Sequence, residues 1–113
     1  MRVTKVFNNN VLLAADDAGT EVVLMGKGLA FQGRPGDTVR EDVVERTFVA
    51  GGSTTPERIV ALVEDIPAED IDLTERIVAA ARDRLGPHIT GHVVVPLADH
   101  ISFALQRARQ DVQ

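Results

Sequence analysis

The chain has no cysteine, no tryptophan and no tyrosine. Without cysteine there is neither a disulfide framework nor a thiolate metal site, in agreement with a reducing compartment. No apolar run approaches the ~20 residues needed to span a bilayer. The N-terminus, MRVTKVFNNN, also lacks the apolar stretch of a signal peptide. A soluble, cytoplasmic protein is expected. The catalytic signatures G-x-S-x-G and G-x-x-x-x-G-K-[ST] are absent. The three histidines, His88, His92 and His100, place no H-x-x-x-H pair on a single helix face and have no convincing metal spacing. The carboxylate pairs Glu69/Asp70 and Asp72/Glu75 fall at a helix start, where they complement the macrodipole. No enzyme, metal or cofactor is expected.

What is present is ordinary globular composition, 44% hydrophobic and 26% charged over 113 residues, enough for one domain or two small ones. The net charge of −5 counts against indiscriminate binding to polyanions. Residues 1–49 carry six Lys/Arg against seven Asp/Glu, a net of −1, and residues 50–113 carry six against ten, a net of −4. A polyanion bound by the first part must therefore meet a local patch.

Residues 2–7, 11–15, 21–25 and 43–49 are short, apolar and β-branched, and turn signals separate them: Asn8-Asn9-Asn10, Asp16-Asp17-Ala18-Gly19 and Arg34-Pro35-Gly36-Asp37. They predict a four-stranded antiparallel meander. Val11-Leu12-Leu13 and Val22-Val23-Leu24-Met25 run continuously apolar, so both faces of the sheet need cover. A sheet this small is marginal alone, and a second copy packed face to face is the expected cover, with the C-terminal helices as the alternative. Ala50-Gly51-Gly52-Ser53-Thr54-Thr55 reads as a linker. Thr55 then caps a helix that has Pro56 in its first turn. A second helix follows Ile66-Pro67, with Leu73, Ile77, Ala81 and Leu85 spaced by four, Val78 widening the stripe, and Gly86-Pro87 as its stop. A third carries Val93, Leu97, Ile101, Ala104 and Ala108. Pro96 either sits in its first turn or kinks a helix begun near Thr90-Gly91. The fold class is thus α+β in separate segments: a dimerising sheet followed by two or three helices of an incomplete bundle.

The candidate site is Lys5, Asn8, Asn10, Gly26, Lys27, Phe31 and Gln32. If the first and third strands are neighbours, the Asn turn and the glycine loop share one end of the sheet. Asn and Gln read base edges and 2′-hydroxyls, Lys meets phosphate, and Phe stacks on an unpaired base. The alternative is that the Asn triplet and the glycines form ordinary turns. His100 sits at the border of a helical stripe with Arg107 two turns on, where it could accept a phosphoryl group and Arg107 could hold the phosphate. A half-buried packing histidine is the alternative.

K-V-F-N-N-N-V at 5–11, M-G-K-G-L-A-F at 25–31, P-G-D at 35–37 and T-F-V at 47–49 together resemble the co-antiterminator RNA-binding domain of the BglG/SacY/LicT antiterminators. D-I-P-A-E at 65–69, L-T-E-R-I at 73–77, L-G at 85–86 and L-A-D-H-I-S-F-A-L-Q-R at 97–107 resemble the start of that family's first phosphotransferase-system regulation domain. The resemblance implies an RNA-binding domain at 1–49, a linker at 50–56 and a partial regulation domain at 57–113. It further implies a homodimer that holds a ribonucleic antiterminator hairpin in nascent mRNA, so that transcription of a sugar-utilisation operon continues. The seven site residues are the implied RNA contacts. His100 is the implied regulatory phosphorylation site, with HPr or a sugar permease as phosphoryl donor. The family's regulation domain is longer than residues 57–113 and is followed by a second copy, so a fragment or truncated protein is expected. A phosphoacceptor or signalling dimer acting through protein partners, without RNA, is the alternative function.

Overall fold

The computed structural model describes residues 1–51, 54–87, 89 and 93–111. Four strands, β1 (Arg2–Asn8), β2 (Val11–Ala15), β3 (Glu21–Met25) and β4 (Arg46–Val49), form one antiparallel sheet in the order β1-β2-β3-β4. Each tight turn is made by a side chain that replaces a missing backbone partner. Asn8 Oδ1 accepts from the Asn10 N–H at 2.8 Å and closes the β1–β2 turn. Asp16 Oδ1 accepts from the N–H groups of both Ala18 and Thr20, and Gly19 takes a positive φ of 83° to close the next turn.

Residues 26–45, between β3 and β4, fold back over one face of the sheet. Leu29, Ala30 and Val39 pack on Val3, Leu12, Ala14, Val22 and Leu24, with Val43 and Val44 partly buried at the margin. Burying a side chain such as Leu24 stabilises the fold by ~1.5–3 kcal/mol. Backbone bonds between Val3 and both Asp37 and Gly36, and from Val39 to Met1, also lay this segment along the outer edge of β1. The start of that edge is thereby occupied. On the opposite face Leu13, Val23 and Phe48, in register across β2, β3 and β4, are buried as well. The continuous apolar runs of β2 and β3 are therefore covered within one chain. For the face that holds Leu12, Ala14, Val22 and Leu24, the long loop supplies a cover that strand periodicity does not register. The predicted strand over 43–49 starts only at Arg46. Glu41–Val43 is a single 3₁₀ turn, since Val43 and Val44 turn inward to pack on the core.

Three helices follow: α1 (Pro56–Asp65), α2 (Ala68–Leu85) and α3 (Val94–Asp111). Thr55 Oγ1 accepts from the Arg58 N–H at 3.2 Å, which satisfies one of the orphan donors at the start of α1. Gly86, at φ 102°, stops α2. Pro96 falls in the first turn of α3, so no kink is needed. The expected apolar stripes are displaced by about one residue. The inward lines are Ile71-Thr74-Val78 on α2 and Val95-Ala98-Ser102 on α3, while Ile77 and Leu85 are 43% and 62% exposed. Inward spacing alternates three and four, and the four-residue ladder of α2 drifted off the buried face. Thr74 is tolerated inside because its hydroxyl donates to the Asp70 carbonyl at 2.7 Å. The chain divides into two compact units, Met1–Val60 and Ala61–Gln113.

Candidate functional site

The Asn turn and the glycine loop are built as one piece at one end of the sheet. The Asn10 carbonyl accepts from the Gly26 N–H at 2.9 Å, and the Asn9 carbonyl accepts from the Ala30 N–H at 2.8 Å. The Asn10 side chain completes the joint, its Oδ1 accepting from the Gly28 N–H at 2.8 Å. Within the loop, three overlapping turns link Leu29 to Gly26, Phe31 to Gly28 and Gly33 to Ala30. Leu29 and Ala30 plug into the core, which leaves Lys27, Phe31 and Gln32 on the outside. Phe31 is 58% exposed, an unusual place for a phenylalanine in a chain with only four of them.

These bonds fix the direction of two amides. A backbone N–H can be accepted only by an amide oxygen, so Oδ1 of Asn8 and of Asn10 is committed inward. Each Nδ2 group is left as a pair of donors for an acceptor outside, such as a base carbonyl, a ring nitrogen, a 2′-hydroxyl or a phosphate. Next to Asn10 lies an open pocket of about 220 Å³ lined by Met25, Gly26, Lys27, Glu45 and Arg46. The edge therefore combines amide donors, one mobile ammonium and one exposed ring.

Two of the seven candidates have a different place. Gly26 is buried, and its N–H and carbonyl are both used inside the chain. A Cβ there would overlap the Val43 carbonyl oxygen and lie 3.1 Å from its carbon. Its glycine identity thus follows from close backbone packing. Gly28 has open space around it and a φ of 73°, so glycine there serves the turn itself. Lys5 stands two rungs down the β1–β2 ladder from Asn8, away from the loop. Its ammonium lies 3.7 Å from Glu57 Oε1 and 5.1 Å from the centre of the Phe7 ring.

A family model described as the CAT RNA-binding domain matches residues 1–55. The chain is 38% identical over 112 residues to the beta-glucoside operon antiterminator of Dickeya chrysanthemi, covering 99% of this chain and 40% of that protein. It is 40% identical over 107 residues to the transcription antiterminator LicT of Bacillus subtilis, covering 95% and 39%. Residues 1–55 thus match the CAT RNA-binding domain, and the chain as a whole is similar to these transcriptional antiterminators. The crystal structure of GlcT CAT-PRDI is a further match at 27% identity, with a TM-score of 0.59, covering 99% of this chain and 67% of that one. The chain spans about 40% of the length of the two curated antiterminators.

In the second unit His100 is exposed on α3, where a half-buried border position was expected. The guanidinium of Arg107, two turns on, lies 5.8 Å from the centre of the Phe103 ring. His88 and His92 lie outside the described residues. Among the described residues no group of three His, Asp or Glu is placed to hold a metal, and no helix is long and apolar enough to cross a membrane.

Arg40 was not foreseen from the sequence. Its Nη2 donates to the Gly28 carbonyl at 2.6 Å and to the Leu29 carbonyl at 2.8 Å. Arg46 and Glu45 at the pocket rim also escaped notice, being read only as strand residues. No local spacing signals any of the three, because the partners of Arg40 lie 11 and 12 residues away.

Proposed function

We propose that the chain binds, as a homodimer, a ribonucleic antiterminator hairpin in nascent mRNA and so keeps a terminator from forming in a sugar-utilisation operon. The observation that carries the reading is the pair of asparagine amides locked with their NH2 groups outward beside exposed Lys27 and Phe31. This group lies inside the segment that matches an RNA-binding family. Asn8, Asn10 and Gln32 would read base edges or 2′-hydroxyls, Lys27 and Lys5 would meet phosphate, and Phe31 would stack on an unpaired base. Gly26 and Gly28 would shape the loop. Residues 1–49 would form the RNA-binding domain, 50–56 the linker and 57–113 a partial regulation domain, in a cytoplasmic, non-enzymatic regulator. Dimerisation is part of the proposal, and its test is the molar mass of the free chain by light scattering.

With Lys5 and Lys27 as phosphate contacts, the logarithm of the binding constant should fall with log salt at a slope of about −2 per chain. The reading is tested by selecting hairpins from the organism's own transcripts on the wild-type chain and titrating the winner at fixed salt. Binding of the selected hairpin at least a hundredfold above a shuffled control is expected. Equal affinity for both would reject sequence- and shape-specific recognition.

His100 is proposed as a regulatory phosphorylation site served by HPr or a sugar permease. Its exposure on α3 supports access by a donor protein. The same exposure favours a second reading, a phosphoacceptor module that acts through protein partners. Incubation with phosphorylated HPr separates the two: labelling lost in His100→Ala, with no hairpin selected, selects the module.

A further inference from the structure

We propose that Arg40 is a positioning residue that fixes the loop of Lys27, Phe31 and Gln32 in the conformation it presents to RNA. The proposal rests on the RNA-contact reading of that loop. A single nitrogen, Nη2, bridges two successive carbonyls, those of Gly28 and Leu29. The Gly28 carbonyl also accepts from the Phe31 N–H at 3.2 Å, so Arg40 and Phe31 meet on one oxygen. A charge-assisted bond polarises that carbonyl and strengthens its hold on the second donor.

The loop needs such support. Gly28 and Gln32 both have positive φ, at 73° and 58°, and a glutamine keeps that conformation only where its surroundings over-determine it. Asn10 secures the loop from its N–H side through Gly28. Arg40 secures it from the carbonyl side. It also covers two carbonyl oxygens that would otherwise turn partial negative charge toward an approaching phosphate. Residues 26–40 contain three cations, Lys27, Arg34 and Arg40, against Asp37 alone, so the loop is locally positive although this half of the chain is not.

The test uses the full chain, the hairpin recovered by selection on the wild type, and the substitutions Arg40→Met and Arg40→Lys. Arg40→Met keeps the bulk of the side chain and removes its donors. It should weaken hairpin binding about tenfold, leave the salt slope as in the wild type, and lower the backbone order parameters of residues 28–32 in the free protein. Arg40→Lys should recover only part of the loss, since a flexible, strongly hydrated ammonium is held less firmly between the two carbonyls than one nitrogen of a rigid guanidinium. In a Phe31→Ala background Arg40→Met should cost less than threefold, because its effect runs through Phe31. Unchanged affinity with unchanged order parameters would overturn the proposal. So would full recovery by Arg40→Lys, or a slope smaller by about one, the mark of a direct phosphate contact. If selection yields no hairpin, the RNA reading fails by itself, and the order parameters still decide whether Arg40 holds the loop.

Discussion

Gly26→Ala should damage this protein more than any other single methyl group added to the loop. The new Cβ meets the Val43 carbonyl oxygen head-on, with the carbonyl carbon at 3.1 Å and the Glu45 nitrogen at 3.4 Å. All three are backbone atoms, so no rotamer change relieves the overlap. The two segments cannot simply part, because the Glu45 N–H bonds the Met25 carbonyl at 2.8 Å and the Gly26 N–H bonds Asn10 at 2.9 Å. Overpacking of this kind costs ~1–3 kcal/mol, and weakening either bond adds ~1 kcal/mol. A loss of about 2–3 kcal/mol in a unit this small lowers Tm by roughly 10–20 °C. Calorimetry or thermal circular dichroism reads the change, with Gly28→Ala as the companion. Gly28 has open space, so alanine there suffers only the left-handed backbone, about 1–2 kcal/mol. A Gly26→Ala protein melting within about 3 °C of the wild type, or above Gly28→Ala, would refute the packing argument.

Other substitutions separate contact from scaffold. Phe31→Ala should weaken hairpin binding by ~1–3 kcal/mol, the usual worth of a stacked base, with Tm unchanged because the ring is largely exposed. Lys27→Ala should weaken binding and reduce the salt slope by about one, read by titration at several salt concentrations. Asn10→Asp keeps an oxygen for the Gly28 N–H but replaces the outward donors by a second acceptor. Binding should fall at least tenfold, a discrimination of ~1–3 kcal/mol, at nearly constant Tm, whereas Asn10→Ala should lower both. Glu57→Gln frees Lys5 from a pair whose side chains are 55% and 62% exposed. Such pairs are worth ~0–1 kcal/mol, so hairpin affinity should rise modestly, by no more than about fivefold, and not at all in a Lys5→Ala background.

The strands were legible because each is a short β-branched run closed by Asn, Asp or Gly, and the chemistry of those turns is local. Asn8 and Asp16 act within four residues of their own positions. The segment 26–45 was not legible beyond its turns. Its apolar residues Leu29, Ala30 and Val39 follow neither helical nor strand period, since they plug a sheet from an irregular path. The cover that this segment gives to one face of β2 and β3 was hidden for the same reason. The helix stripes slipped because a ladder such as Leu73-Ile77-Ala81-Leu85 advances 400° per four-residue step and walks around the cylinder. Thr74 and Ser102 hide the true inward lines behind polar names. In the site, Asn8, Asn10, Lys27, Phe31 and Gln32 were recognisable from residue type. The partners of Arg40 and the engagement of Lys5 by Glu57 depend on contacts 11 to 52 positions apart, to which spacing is blind.

The central claim is that the Asn turn and the loop at 26–32 form one RNA-contact edge. Titrating the 15N-labelled chain with its selected hairpin tests it most directly. The account predicts the largest amide shifts at residues 8–10 and 27–32, with smaller ones at Arg40 and Arg46 and none along α3. Shifts concentrated on α2 or α3, or a bound state that leaves residues 8–10 and 27–32 unmoved, would contradict it.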